Sequence, residues 1–157
     1  MDFEPFETAE AHSTPTVRQL STFLDSRVGQ LLRLTRIFEG TDVHIRALAI
    51  ISSVDCAIVR LLVDKTDEAE RILRRGGFPV STAEVLVVEM PPGSTGLLTI
   101  CSALLAGEVN IHYAYPLLSR PNGRPGLALL VDDIEVSASI LREKDFTVLD
   151  ESDLEQA

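Results

Sequence analysis

Two stretches decide how this chain folds: Gly29-Gln30-Leu31-Leu32-Arg33-Leu34-Thr35-Arg36-Ile37-Phe38-Glu39-Gly40 and Gly96-Leu97-Leu98-Thr99-Ile100-Cys101-Ser102-Ala103-Leu104-Leu105-Ala106-Gly107. They lie 67 residues apart, glycine on glycine at both ends. The same offset relates Leu31 to Leu98, Leu34 to Cys101 and Phe38 to Leu105. Further on the offset becomes 66 (Val43 with Val109, Ile45 with Ile111) and then 68 (Val63 with Val131, Phe78 with Phe146). Small drifts at loops, with apolar positions kept in phase, are the mark of two copies of one fold.

Working outward, each copy reads as strand, helix, strand, strand, helix, strand. In the first copy, Thr16 to Leu24 reads as a strand. Gly29 to Glu39 reads as a helix with Leu31, Leu34 and Phe38 on its apolar stripe. Asp42 to Ser52 and Cys56 to Val63 make a hairpin, with Val43, Ile45, Ala47, Ala49 and Ile51 on one face. Thr66 to Arg75 is a helix, and Phe78 to Ser81 a short last strand. The second copy repeats this with a strand at Ala83 to Met90 and a helix whose stripe is Leu98, Cys101 and Leu105. Strands follow at Val109 to Leu118 and Leu127 to Val131, with Tyr113 and Tyr115 placed on the face of Ile111. Asp132 is placed as the N-cap of a helix running to Lys144, with Glu135 completing a capping box, and Phe146 to Leu149 closes the unit. The expected fold is α+β: two tandem ferredoxin-like βαββαβ units with antiparallel sheets and helices on one face. The divisions expected are an acidic flexible leader (1–14), a first domain (15–81), a second domain (82–150) and an acidic tail (151–157). Two sheets in one chain can join into one larger sheet or pack back to back, and exposed edges favour a two-fold homodimer.

Charge narrows the function. Of a net −10, four charges come from Asp2, Glu4, Glu7 and Glu10 and four from Asp150, Glu151, Asp153 and Glu155, leaving −2 on the body. Such a body has no basic excess for phosphates, and the central strands lack the aromatics of an RNA-binding sheet, so nucleic acid is not an expected partner. No apolar run has the roughly 20 residues of a membrane span. The first residues lack the basic and apolar regions of a secretory signal, so a cytoplasmic protein is expected. Cys56 and Cys101 fit no metal spacing and are expected to be buried, reduced core residues. The Arg120–Gly126 turn reads as a solvated hairpin tip.

Nothing points to catalysis. Phosphate-binding and nucleophile-elbow motifs are absent, and the three histidines, His12, His44 and His112, belong to no triad pattern. No cofactor is expected. The physically informative positions are the glycines opening the first helix of each copy. A helix start offers unpaired N–H groups and partial positive charge, and glycine lets an anion approach closely. The alternative is that these glycines only permit a tight turn.

The run Asp25-Ser26-Arg27-Val28-Gly29-Gln30-Leu31, its apolar helix and Gly40-Thr41-Asp42-Val43-His44-Ile45 resemble the ACT domain. So do Gly96-Leu97-Leu98 and Gly107-Glu108-Val109-Asn110-Ile111. The resemblance implies a regulatory protein that binds a small ligand, usually an amino acid, between two units. Its first site would use Asp25, Arg27, Val28, Gly29, Gln30 and Leu31, with His44 and Ile45 opposite. The second would use Ser94, Thr95, Gly96 and Leu97, with Asn110 and Ile111. The two copies differ: Pro92 stands where the first has Asp25, and His44 where the second has Asn110. One site could combine Asp25 with Asn110. The resemblance also implies a partner enzyme of amino-acid metabolism. The competing expectation is an assembly module that dimerises without a ligand.

Overall fold

The computed structural model describes residues 13–157; the leader expected at 1–14 lies almost wholly outside them. Among the described residues seven strands and five α-helices occur, in the expected alternation except that two expected strands are merged and a fifth helix follows the last strand. The elements are β1 Val17–Asp25, α1 Gln30–Arg36, β2 Ile45–Ser52, β3 Cys56–Val63 and α2 Thr66–Arg75. After them come β4 Val80–Glu89, α3 Gly96–Ala106, β5 Ile111–Pro116, β6 Gly126–Val131, α4 Ile134–Glu143, β7 Val148–Leu149 and α5 Glu151–Glu155. The fold is the expected α+β pair of ferredoxin-like units.

The units share a strand. Where the sequence reads two strands, at 78–81 and 83–90, the structure has the single strand β4. Its first half pairs with β1 (Val80↔Thr22 to Val85↔Val17) and its second half with β6 (Leu86↔Leu129 to Glu89↔Gly126). β7 pairs with β4 at Val87 and Val88. No turn-forming residue interrupts Val80-Ser81-Thr82-Ala83-Glu84-Val85, so the backbone stays extended through the junction. The result is one antiparallel sheet of order β2-β3-β1-β4-β6-β5. The two ends of this path meet: Ala47 bridges Leu117, and the Leu118 amide donates to the Arg46 carbonyl over 2.7 Å. The sheet therefore curls onto itself.

Three apolar clusters follow. Leu20, Leu34, Phe38, Leu61, Leu73 and Phe78 fill the space between the first half of the sheet and α1 and α2. Leu86, Ile100, Leu104, Leu129, Leu141 and Phe146 do the same under α3 and α4. Val17, Ala47, Leu62, Val85, Val87, Tyr115 and Leu154 form a third cluster, between the strand faces turned away from the helices. Leu154 is wholly buried, so residues 151–157 are not a loose acidic tail. They carry α5, closed by a capping box between Asp150 and Asp153, with Glu151 accepting from Arg18 Nε over 2.8 Å.

Several sequence expectations shift by one residue. The N-caps of α1 and α3 are Gly29 and Thr95, and the buried pairs are Leu34 with Ile100 and Phe38 with Leu104. The helix offset is therefore 66, not 67. It changes to 68 only after β5, where the β5–β6 connection is longer than the β2–β3 turn. The α3 stripe expected at Leu98, Cys101 and Leu105 is accordingly exposed, and Leu31 is also partly exposed. Cys101 is a surface thiol and Cys56 is half-buried, against the expectation of two core cysteines. Bulges explain the strand faces. The register slips between Ile45 and Ala47 and again between Ile111 and Tyr113. Ile45 and Ile111 thus face the helices, while Ala47, Ala49, Tyr113 and Tyr115 face the inner cluster. The α4 N-cap is Asp133, which accepts from the Val136 amide, and not Asp132. The Arg120–Gly126 turn is not free: Pro121 is buried and Asn122 donates to buried Glu89 over 3.0 Å.

Candidate functional site

The loop between β1 and α1 is built by its backbone. Ser26 donates to the Asp55 carbonyl, Arg27 to the Asp25 carbonyl and Gln30 to the Arg27 carbonyl. Gly29 then turns the chain into the helix at φ 84, the left-handed region where a side chain is strained. No atom lies within 4 Å of the place a Cβ would occupy there. The loop rims an open groove of about 410 Å³, to which Asp25, Arg27, Val28, Gln30 and Leu31 contribute. Its far wall is Ile50 and Ser52 of β2 and Ala57 of β3. These three were invisible to local reading, because only the β2–β3 register brings them beside the loop. On the other side of Asp25 and Gln30 lies a smaller depression of about 240 Å³ with Arg33, Cys56 and Phe78. The Arg33 guanidinium sits 4.8 Å from the centre of the Phe78 ring. Gly29 itself faces a third hollow, with Leu32, Arg33 and Arg36.

The groove offers a carboxylate, a guanidinium and an amide on a wall of aliphatic carbon. That combination suits a small zwitterion: Asp25 for an ammonium, Arg27 for a carboxylate. α1 has only seven residues, shorter than the expected 29–39, so charged side chains rather than a long helix supply the polarity.

The second copy is built otherwise. Thr95 occupies the N-cap, and Gly96 is the first helical residue. A Cβ on Gly96 would lie 2.9 Å from the Pro91 ring and 3.3 Å from the Met90 methyl. These two side chains cover the ground that stands open at Gly29. Ser94 and Leu97 flank this closed loop, both exposed.

His44 and Ile45 stand at the other end of the first unit. Ile45 pairs with Val63, whereas Asp25 pairs with Cys56, so the two groups are separated by roughly 20 Å at about 3.3 Å per residue. The structure does not bring them together within a unit. His44 instead belongs to a corner with Asp64: its amide donates to Oδ1 over 2.8 Å and its ring Nδ1 lies 2.7 Å from Oδ2. Arg46 adds a contact of 3.3 Å to the same Oδ2. Burial pushes the Asp64 carboxyl up, but the His44 amide, the His44 ring and Arg46 outweigh it and hold it below the ordinary aspartate range. The second copy repeats the backbone part, with the Asn110 amide donating to Asp132 Oδ1 over 3.1 Å. Asn110 also meets His112 Nδ1 at 3.4 Å. The antiparallel Ala47–Leu117 bridge directs the start of β5, with Asn110 and Ile111, toward the Ser52 end of β2. Neither residue lines the Asp25 groove. Among the described residues no group of three His, Cys, Asp or Glu is placed to hold a metal. No helix there is long and apolar enough to cross a membrane.

Against known proteins, the family model of the ACT domain pair matches residues 15–157. No curated protein matches the chain. Among solved structures, protein BT0572 from Bacteroides thetaiotaomicron superposes with a TM-score of 0.82 at 26% identity, over 90% of this chain and 97% of that one. The regulatory subunit of aspartate kinase from Thermus thermophilus, in its ligand-free form, gives 0.59 at 11% identity, over 82% and 93%. The corresponding subunit from Thermus flavus gives 0.52 at 11% identity, over 82% and 92%. At 11% identity the likeness is one of fold.

Proposed function

The chain belongs to the ACT domain pair family over residues 15–157, and from that premise we propose that it is a regulatory protein that binds an amino acid. It has no catalytic role of its own in this reading. Its work is to report the ligand to a partner enzyme of amino-acid metabolism, in the cytoplasm, as a two-fold homodimer. The observation that carries the reading is the open groove at the β1–α1 loop, where Asp25 and Arg27 face aliphatic Leu31 and Ile50. Two solved proteins of this fold are regulatory subunits of aspartate kinase, which accords with a partner enzyme. The remaining residues implied by the family, His44 and Ile45 or Asn110 and Ile111, would complete the groove from a second unit.

The test is thermal denaturation with each of the twenty amino acids. A ligand at about 100 times its Kd adds roughly 2.7 kcal/mol, a shift of several degrees for a domain of this size. We expect one amino acid, or a chemically related group, to raise Tm. Asp25→Ala and Arg27→Ala should remove the shift while leaving the unliganded Tm in place, since both side chains are exposed. No shift with any amino acid removes the reading. One observation favours a ligand-free role for the second unit: the Pro91 ring closes its loop. On that account the second unit serves assembly and the first serves sensing.

A further inference from the structure

The first unit gathers unpaired positive charge on its two helices. Arg27, Arg33, Arg36, Arg71, Arg74 and Arg75 are all exposed. Among the described residues only Arg74 has a carboxylate partner, Glu70 at 2.8 Å. α1 contains no acidic residue, and on α2 Asp67 is turned to Arg18 over 2.6 Å. Arg33 donates to the Gly76 carbonyl over 3.1 Å, which brings α1 beside the end of α2 and joins the arginines of both helices in one face. Gly29, Leu32, Arg33, Arg36 and Ile37 border a hollow of about 330 Å³ in it. The repeat provides its own control. In the second copy the positions matching Arg33 and Arg36 are Thr99 and Ser102, at an offset of 66, and those matching Arg71 and Arg75 are Ser139 and Glu143, at 68. The fold therefore does not require these charges.

Exposed charges add little to stability, but several unpaired ones of one sign attract and orient an anionic partner. The surroundings decide which kind. Exposed Val28 and Leu32 stand among the arginines, so the face offers apolar contact beside charge, as protein interfaces rich in arginine do. A nucleic acid carries phosphate along its whole length, and beyond this face it would meet a chain at −10. A protein brings carboxylates only where they are needed. A second copy does not fit about a two-fold axis, because the face would meet its own charge, and a head-to-tail contact with its acidic segments would not close. We propose that the α1–α2 face of the first unit docks an acidic patch on a partner protein. Carboxylates of the partner meet Arg33, Arg36, Arg71 and Arg75, and an apolar side chain covers Leu32. This inference rests on the partner reading given above and adds the surface and its chemistry. α1 follows directly on the loop of the groove, so a ligand held at Asp25 and Gln30 lies about one helical turn from Arg33.

Fluorescence anisotropy on the full chain tests it, with three labelled probes: a peptide of glutamate and leucine, the same peptide with glutamine for glutamate, and single-stranded DNA of equal charge. The wild type should bind the glutamate peptide best and release it as salt is raised. Arg36→Ala/Arg71→Ala/Arg75→Ala should weaken that binding at least about tenfold, with unchanged circular dichroism because all three side chains are exposed. Arg142→Ala, in the last turn of α4, should bind as the wild type does. If the triple variant fails to fold, the wild type decides: binding that ignores salt overturns the proposal, and binding that falls with it upholds it. The proposal is also overturned if the glutamate peptide does not bind, if the glutamine peptide binds equally well, or if the triple variant binds unchanged. DNA held more tightly than the peptide overturns it as well, and so does self-association of the wild type that the triple variant loses. Peptide binding with a Tm that ignores every amino acid sinks the ligand reading alone; a Tm that responds to one without peptide binding sinks this proposal alone.

Discussion

Asp64 shows how much one residue can organise. Its side chain is almost fully buried, yet it receives the His44 amide, the His44 ring and Arg46. Its folded pKa lies below the unfolded value, so its contribution to stability is present above the unfolded pKa of about 3.9 and is lost as pH falls through the folded one. Asp64→Ala leaves the half-buried Arg46 guanidinium and a backbone donor without their acceptor, and should cost about 2–3 kcal/mol at neutral pH. Thermal melts from pH 7 downward would show wild type and variant far apart at neutral pH and converging in acid. A gap that persists unchanged at the acid end would contradict this account. Gly29 and Gly96 teach the complementary point. Gly29 stands before its helix and is needed for its positive φ, whereas Gly96 is the first residue of the matching helix and is needed for the closeness of Pro91.

Among the elements, α5 is the one whose importance its composition conceals. Five residues, three of them acidic, read as a solvated tail. The helix forms because Asp150 and Asp153 cap each other's backbone and because acidic residues in the first turn suit the positive end of the dipole. Leu154 then enters the inner cluster with no exposed surface. Leu154→Ala should cost about 2–5 kcal/mol, as for other buried leucines. The Arg18–Glu151 pair is more than a third exposed on both sides, and its loss should cost under about 1 kcal/mol. Urea unfolding of Leu154→Ala beside Glu151→Gln checks the order. Equal losses would mean that the ion pair and not the apolar anchor holds the helix.

At the scale of the whole molecule, the two units are joined by more than the shared strand β4. Gln19 of β1 is buried and faces β5, where its amide donates to Tyr113 Oη over 2.8 Å and accepts from Tyr115 Oη over 2.6 Å. The Arg60 guanidinium lies 3.8 Å from the centre of the Tyr113 ring. Burial pushes the Tyr115 hydroxyl well above the ordinary tyrosine range, so it stays protonated and keeps donating to Gln19. Tyr115→Phe leaves that acceptor unpaired and should cost about 1–3 kcal/mol. The chain has two tyrosines. In an ultraviolet titration of the wild type, one tyrosine's share of the phenolate signal should appear only far above pH 10, or with alkaline unfolding. Both tyrosines ionising together near the ordinary value would show that the interior is open to water.

The alternation of elements, the doubling and the apolar pairing of the copies beyond their first helices were legible in the sequence. They depend on periodicity and turn chemistry, which are local: Val63 and Val131 or Phe78 and Phe146 stand in step whatever surrounds them. The true register of the helices was not legible, because α3 has apolar residues on every side and only contact with the sheet chooses Ile100 and Leu104 over Leu98 and Leu105. The faces of Ala47 and Tyr113 depended on bulges, which insert a residue without a sequence signal. The groove wall at Ile50 and Ser52, the burial of Leu154 and the Gln19–Tyr115 link all join residues far apart in the chain. They were decided when the sheet curled and its edges met at Ala47 and Leu117, since only closure creates an inside for them to share.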